Sequence, residues 1–158
     1  MNRKDFLRNT GLAAASFAVM PSMDLFAGKA DQKVKIAIIG VGLRGQGHLE
    51  LLLTRDDVEV VAICDVDDRM LTYAKEYVTK SGRKMPQVFT GDSYAWKKML
   101  ELKGLDGVII ATPWEWHKPM IIGALEAGVK YVGSEVIIGI TLQDHWDVVK
   151  AAEKNNAH

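Results

Sequence analysis

Three glycines carry the most specific chemical signal in the sequence. Gly40, Gly42 and Gly45 form a G-x-G-x-x-G pattern directly after the β-branched run of residues 33–39. In a dinucleotide-binding turn, the first glycine permits the tight bend, the second lets the backbone approach a diphosphate, and the third lets the helix pack closely on the strand. The pattern therefore predicts a strand, a phosphate-binding turn and a helix in immediate succession.

The residues around this turn complete the predicted cofactor site. Leu43 and Arg44 lie near the start of the expected helix, where free N–H groups and the helix dipole favour an anion. Asp65 follows the next apolar run, about twenty residues after the last glycine, where its carboxylate would accept hydrogen bonds from the ribose hydroxyls of the adenosine. Because that charge repels a 2′-phosphate, NAD is favoured over NADP, although Arg44 or Arg69 could reach such a phosphate.

A second cluster follows the fourth apolar run, in the sequence Ala-Thr-Pro-Trp-Glu-Trp-His-Lys-Pro. Ligands of open α/β sheets bind beyond the carboxyl ends of the strands, so Thr112, Pro113 and Trp114 are predicted to shape the cofactor cleft. His117 is a candidate hydrogen-bonding residue on the cofactor or substrate side. The alternative is that the tryptophans are packing residues and that His117 caps the next helix.

Glu135 ends the fifth apolar run, at the same expected edge of the sheet. Its carboxylate is a candidate to contact a cofactor ribose or a substrate hydroxyl, and the alternative is a solvated loop acid. His48 and His145 fall within expected helices and are assigned no role.

Apolar runs alternate with amphipathic segments along the rest of the chain. The runs lack polar alternation, which is typical of strands buried on both faces of a parallel sheet. We therefore predict an α/β fold, a doubly wound parallel sheet of the Rossmann type, over residues 31–158. Thr141 and Asp144 predict a capping box at the start of the last helix. The expected strands are 33–39, 58–64, 87–89, 106–111 and 130–133, and the expected helices are 45–53, 67–80, 93–102, 118–127 and 141–154.

The charge balance and the cysteine count exclude some classes of partner and site. The 158 residues include 20 basic and 20 acidic side chains with no basic stripe, so nucleic acid is not an expected partner. A single cysteine, Cys64, excludes an internal disulfide and a multi-cysteine metal site, and we predict no metal. Its place at the end of an apolar run favours a buried thiol over a reactive one.

Residues 1–30 have the layout of an export signal. A basic start that contains Arg3 and Lys4 precedes a short, mildly apolar core and then small residues, and the core is too short to span a bilayer. The start resembles a twin-arginine signal in which Lys4 replaces the second arginine, so we expect export to the periplasm. No cysteine lies near the expected cleavage region, so no membrane anchor is predicted. The alternative is a disordered or amphipathic N-terminal segment.

These motifs together resemble the glucose–fructose oxidoreductase, inositol dehydrogenase and rhizopine catabolism (Gfo/Idh/MocA) family. The resemblance rests on Gly-Val-Gly-Leu-Arg-Gly after a strand, Cys-Asp-Val-Asp, Ala-Thr-Pro with His117 five residues after Thr112, and Glu135 after the fifth strand. The segment from Thr112 to Met120 is similar to the subgroup classed as glycoside hydrolase family 109. This resemblance implies NAD as the cofactor, a carbohydrate substrate, and removal of terminal α-N-acetylgalactosamine.

One position departs from the dehydrogenases of that family, which usually have Glu-Lys-Pro after the fifth strand. Here the triplet is Glu135-Val136-Ile137, and a valine can neither donate a hydrogen bond nor exchange a proton with a reacting hydroxyl. The departure agrees with the glycosidase subgroup, which is similar in lacking that lysine. The mechanism that the resemblance implies is oxidation of the sugar at C3 by NAD, loss of the C2 proton, elimination at C1, addition of water, and reduction of C3 by NADH.

Members of the family carry a second α/β domain that forms the far wall of the cleft. We expect this chain to be truncated before that substrate domain, to bind NAD weakly and to show no turnover by itself. Three hypotheses stay open, because one fold serves many functions: the cofactor domain of an NAD-dependent glycosidase, an NAD-dependent sugar or cyclitol dehydrogenase, and a non-catalytic dinucleotide-binding module. A homo-oligomer is compatible with the sequence.

Overall fold

The computed structural model describes residues 33–158, in which five strands alternate with five helices. The predicted export signal of residues 1–30 lies outside the described residues. Within residues 33–158, no helix is both long enough and apolar enough to cross a membrane. The strands are β1 (Val34–Ile39), β2 (Val58–Cys64), β3 (Gln87–Phe89), β4 (Gly107–Ile110) and β5 (Tyr131–Ser134). The helices are α1 (Leu43–Leu53), α2 (Asp68–Ser81), α3 (Ala95–Leu100), α4 (Trp114–Glu126) and α5 (Leu142–Asn155).

All five strands form one parallel sheet in the order β3-β2-β1-β4-β5. The chain moves outward from β1 to β3, then returns to the other side of β1 for β4 and β5. This reversal between β1 and β4 separates the connecting loops and opens a crevice at the carboxyl ends of the strands. The predicted doubly wound α/β fold is confirmed.

Alternate side chains of the central strand pack into two cores, one on each face of the sheet. Ile38 lies in one core with Leu49 of α1 and Leu71 of α2. Its neighbours Ala37 and Ile39 lie in the other core, which contains buried residues of α3 and α4. Because both faces are covered, the end of β1 is apolar without interruption, and this is the pattern that predicted it.

Two predicted helices begin with a side-chain cap, and the one at Thr141 is the capping box that the sequence predicts. At the start of α2, the Asp67 side chain accepts a hydrogen bond from the Arg69 N–H. At the start of α5, the Thr141 hydroxyl accepts from the Asp144 N–H, and the Asp144 carboxylate accepts from the Thr141 N–H. Each cap satisfies N–H groups that the first helical turn leaves without an intrahelical acceptor.

Helix α4 begins at Trp114, four residues before the predicted start at residue 118. The prediction placed Pro119 in the first turn, where a missing N–H costs least. In the structure Pro113 holds the N-cap position, and Pro119 lies inside the helix. His117, in the first turn, is fully buried and its ring contacts two backbone carbonyls. We attribute the earlier start to this anchor, which offsets the backbone hydrogen bond that Pro119 cannot make.

Candidate dinucleotide-binding site

Close contacts require a glycine at two of the three motif positions, Gly40 and Gly45, but not at Gly42. Gly40 has a φ of 84°, and a Cβ there would lie 2.7 Å from the Ala111 carbonyl oxygen. A Cβ at Gly45 would overlap the Gly40 carbonyl oxygen, so this glycine lets α1 pack against the turn. A Cβ at Gly42 would meet no atom within 4 Å, because this backbone faces open space. The turn therefore leaves room for a ligand at its second glycine.

The start of α1 offers N–H groups to that open space. The helix begins at Leu43, two residues earlier than predicted, and the N-cap residue Gly42 supplies no side-chain cap. The first turn also contains no acidic residue, so no carboxylate competes there with a bound anion. Leu43, the first residue of the helix, is 88% exposed. The helix dipole and these N–H groups favour an anion, and a diphosphate fits this chemistry.

Asp65 holds the turn after β2 against the glycine turn. Its Oδ2 accepts a hydrogen bond of 2.7 Å from the Val41 N–H, and its Oδ1 accepts one of 2.9 Å from the Asp67 N–H. A carboxylate oxygen can accept more than one hydrogen bond, so both oxygens keep acceptor capacity for ribose hydroxyls. Two backbone contacts fix the orientation of this carboxylate before any ligand arrives. Pre-organisation of this kind reduces the entropy cost of binding.

A cleft of about 320 Å³ lies at the carboxyl ends of β1, β2 and β4, as expected for this topology. Of the predicted cofactor-binding residues, Gly40, Gly42, Asp65, Thr112 and Pro113 line it. Trp116, the second tryptophan of the cluster that was expected to shape the cleft, lines it as well. The further lining residues were not predicted as site residues: Ile39, Cys64, Val66, Met70, Asp92, Ser93, Trp96, Ala111 and Met120.

Two of these additional residues could have been predicted from their position in the sequence. Asp92 and Ser93 follow β3, so the parallel sheet brings them to the same edge as Asp65. Trp96 comes from α3 and is 4% exposed, and it both lines the cleft and packs in the core. Its role at the cleft depends on the packing of α3 against the sheet, which no short motif encodes.

The two tryptophans at the start of α4 have different positions. Trp116 lines the cleft and packs against the core, and its ring meets that of Tyr94 edge-on with centroids 5.7 Å apart. Trp114 is 62% exposed and does not line the cleft. The structure therefore places the aromatic wall of the cleft at Trp116 rather than at Trp114.

His117 is buried beneath the loops that follow β4 and β5. The side chain is fully buried, its Nε2 lies 2.7 Å from the Thr112 carbonyl oxygen, and its Nδ1 lies 2.7 Å from the Ile137 carbonyl oxygen. Both ring nitrogens are thus engaged with the backbone, and neither faces the cleft. The ring does not cap the helix, as the alternative expected; it joins the loop after β4 to the loop after β5, which is a structural position rather than a substrate-side one.

Glu135 lies with two basic side chains of α1, and none of these three residues lines the cleft described above. Its Oε1 is 2.9 Å from an Arg44 guanidinium nitrogen and 2.7 Å from His48 Nε2. The hydrogen bond from His48, followed by that from Arg44, lowers the pKa of Glu135 below its usual value, so this carboxyl is ionised at neutral pH. The guanidinium of Arg44 therefore contacts Glu135, whereas the sequence suggested a place near the diphosphate. His48 had been assigned no role.

The described residues 33–158 contain no group of three or more His, Cys, Asp or Glu side chains arranged to hold a metal ion.

Comparisons with known proteins agree with this geometry. A family model described as "Oxidoreductase family, NAD-binding Rossmann fold" matches residues 34–158. A "Glycosyl hydrolase family 109 protein" of Stenotrophomonas maltophilia (strain K279a) is 50% identical over 152 residues, which cover 95% of this chain and 33% of that protein. An "Alpha-N-acetylgalactosaminidase" of Tannerella forsythia is 39% identical over 132 residues, which cover 84% of this chain and 28% of that protein.

A solved structure shows the same architecture. The scyllo-inositol dehydrogenase of Lactobacillus casei, solved with bound NAD(H) and scyllo-inositol, superposes with a TM-score of 0.66 at 25% identity, covering 79% of this chain and 34% of that one. This chain spans about a third of the length of the curated relatives it matches. The match of the family model over residues 34–158 shows that the chain belongs to the Gfo/Idh/MocA oxidoreductase family, through its NAD-binding Rossmann fold.

Proposed function

We propose that this chain is the cofactor domain of an NAD-dependent glycosidase that acts on terminal α-N-acetylgalactosamine. The observation that carries the cofactor part is Asp65, whose carboxylate is fixed by two backbone N–H groups at the wall of the cleft beside the glycine turn. The glycosidase part is supported by the relatives at 50% and 39% identity, a glycosyl hydrolase family 109 protein and an α-N-acetylgalactosaminidase.

Different residues of the chain would hold the diphosphate and the adenosine ribose of NAD. The open backbone at Gly42 and the start of α1 would hold the diphosphate, with Leu43 and Gly45 in the first turn. Asp65 would accept hydrogen bonds from the adenosine ribose and would exclude a 2′-phosphate by charge repulsion. When bound, NAD supplies reversible oxidation of a sugar carbon, and the chain supplies orientation.

Residues that follow β4 and β5 lie on the other side of β1 from Asp65, which follows β2. Thr112 and Pro113 line the cleft after β4, and the Glu135 N–H donates to the Ile110 carbonyl, which places Glu135 at the adjacent strand end. Glu135 would face the nicotinamide half or the sugar, because the dinucleotide crosses from β2 towards β4 in this topology.

A dehydrogenase is the second candidate, and the residue after Glu135 argues against it. Val136 is 75% exposed at this edge and has no group that donates a hydrogen bond or exchanges a proton. Dehydrogenases that this chain resembles usually have a lysine there. The valine agrees with the glycosidase subgroup, which is similar in lacking that lysine. Oxidation of C3 in that reaction also releases a hydroxyl proton, and this proton would pass to a group other than residue 136.

The binding claim is tested by titration calorimetry of this chain with NAD and NADP. We expect weak binding of NAD and weaker binding of NADP. Heat changes indistinguishable from dilution with both nucleotides would contradict the assignment of the cofactor.

The glycosidase claim is tested in a chimera, because the relatives are about three times as long as this chain. Residues 33–158 would replace the matching segment of the Tannerella forsythia α-N-acetylgalactosaminidase. We expect release of p-nitrophenol from p-nitrophenyl α-N-acetylgalactosaminide without accumulation of NADH. Accumulation of NADH with free sugars, and no p-nitrophenol release, would support the dehydrogenase instead.

We also propose export to the periplasm, supported only by the sequence of residues 1–30. Fractionation of cells that produce the wild-type chain and an Arg3→Gln/Lys4→Gln variant tests it. The wild-type chain should reach the periplasm and the variant should stay in the cytoplasm, and equal distribution of both would contradict export through the basic start.

A further inference from the structure

We infer that His48 is a positioning residue, which holds the Glu135 carboxylate so that its second oxygen faces the nicotinamide half of the cofactor. This inference rests on the proposed binding of NAD. It concerns a histidine for which neither the glycine motif nor the sequence pattern of α1 gives a reason.

The two carboxylate oxygens of Glu135 have different hydrogen-bond partners. Oε1 receives both the Arg44 guanidinium at 2.9 Å and the His48 ring at 2.7 Å. Among the hydrogen bonds of the described residues, none involves Oε2. A carboxylate held through one oxygen presents the other as a directed acceptor, and ribose hydroxyls are donors that such an acceptor binds.

His48 rather than Arg44 dominates this orientation. The Arg44 side chain is 73% exposed, whereas those of His48 and Glu135 are 33% and 20% exposed. Solvent screens the Arg44 pair, and a long, exposed side chain loses entropy when it is held in one geometry. The histidine is shorter and more buried, so its hydrogen bond directs the carboxylate more strongly.

The tautomer of His48 follows from its partner. An ionised carboxylate only accepts hydrogen bonds, so Nε2 of His48 must carry the hydrogen in this contact. Arg44 and His48 are four residues apart and therefore lie on one face of α1, which begins at the glycine turn. The same helix thus presents N–H groups to the diphosphate at its start and orients Glu135 from its side.

The test compares NAD with ADP, which lacks the nicotinamide nucleoside. His48→Leu should weaken NAD binding by roughly tenfold, the loss expected when a charge-assisted hydrogen bond no longer holds a ligand-binding group, and should leave ADP binding unchanged. His48→Gln should recover most of the loss, because its amide can donate from a similar position. His145→Leu is the matched control and should change neither affinity, since within residues 33–158 the one hydrogen bond of its ring is to the Thr141 carbonyl at the start of α5.

A double-mutant cycle with Glu135→Gln keeps the test independent of folding effects. In the Glu135→Gln background, His48→Leu should not weaken NAD binding further. Equal loss of NAD and ADP affinity in His48→Leu, no recovery in His48→Gln, or additive effects with Glu135→Gln would each overturn the inference. Failure of the wild-type chain to bind either nucleotide would instead contradict the proposed function.

Discussion

Two glycines of α1 that look alike in the sequence have opposite structural requirements. Gly45 is buried, and a Cβ there would overlap the Gly40 carbonyl oxygen, while Gly47 is exposed and a Cβ there would meet nothing within 4 Å. The third glycine of the motif is therefore required by packing between backbone segments. Gly47 costs helix stability without such a reason.

Alanine at these two positions should therefore have opposite effects. We expect Gly45→Ala to destabilise the chain by about 1–3 kcal/mol, as overpacking does, because the glycine turn must shift. Gly47→Ala should stabilise it by about 0.5–1 kcal/mol, the difference in helix propensity. Urea unfolding followed by circular dichroism measures both, and a stable Gly45→Ala variant would contradict the close approach at the turn.

Asp65 combines an electrostatic role with a structural one. In Asp65→Asn the charge is lost, so the ratio of the NADP dissociation constant to that of NAD should fall. The amide also has one acceptor oxygen in place of two, so either the Val41 or the Asp67 N–H loses its partner. Calorimetry with both nucleotides measures the ratio, and a ratio equal to that of the wild-type chain would place Asp65 away from the ribose.

Cys64 lies at the end of β2, on the floor of the cleft, and is 4% exposed. Burial, followed by repulsion from Asp65 and Asp92, raises the pKa of this thiol to about 12. Because the thiolate is the reactive form, the folded chain should react very slowly with Ellman's reagent at pH 8. In denaturant the single thiol should react at the rate of free cysteine, and fast reaction under native conditions would show that the cleft floor opens.

At the scale of elements, motifs with a local cause were predictable and contacts between elements were not. The glycine turn, the Asp67 cap and the Thr141 capping box involve residues a few positions apart, so their spacing appears in the sequence. The contact of His48 with Glu135 joins residues 87 positions apart, and it depends on how α1 lies over the end of β5. The start of α4 was missed for a similar reason, because a tertiary anchor overrides the local signal of Pro119.

Lys118 links α4 to α5 through two carboxylates. Its Nζ lies 2.7 Å from both Asp144 Oδ1 and Asp147 Oδ2, and these hydrogen bonds are the first cause of the lowered pKa of each carboxyl. A carboxyl with a lowered pKa in the folded state stabilises the fold above its unfolded pKa of about 4, and this contribution is lost as the pH falls through the folded pKa.

Lys118→Met should therefore lower stability at pH 7, and the difference from the wild-type chain should shrink below about pH 4. Part of the effect of Asp144 should persist, because this carboxylate also accepts from the Thr141 N–H. Lys80→Met is the matched control, since the Lys80 side chain is 75% exposed and its Nζ lies 3.9 Å from Glu76 Oε2. Urea midpoints at several pH values measure the difference, and a constant difference down to pH 3 would contradict the ionic origin.

At the scale of the whole chain, the residues that line the cleft come from elements that pack in both cores. The glycine turn leads from β1 into α1, which packs in one core, while Trp96 and Trp116 connect the cleft to the other. Ile39 and Cys64 line the cleft and are also buried core residues. A ligand in this cleft therefore contacts elements on both faces of the sheet, and it should oppose global unfolding rather than the opening of one loop.

Binding of NAD should accordingly raise the melting temperature of the entire folded unit, Lys33–His158. A ligand at a hundred times its dissociation constant adds about 2.7 kcal/mol to the free energy of unfolding. For a domain of about 125 residues, this corresponds to a rise of roughly 10 °C in a single cooperative transition. Nicotinamide mononucleotide, which lacks the adenosine that Asp65 would hold, should give a much smaller shift at the same concentration. A rise confined to part of a two-step transition would show that the two cores unfold independently, and that the cleft couples to only one of them.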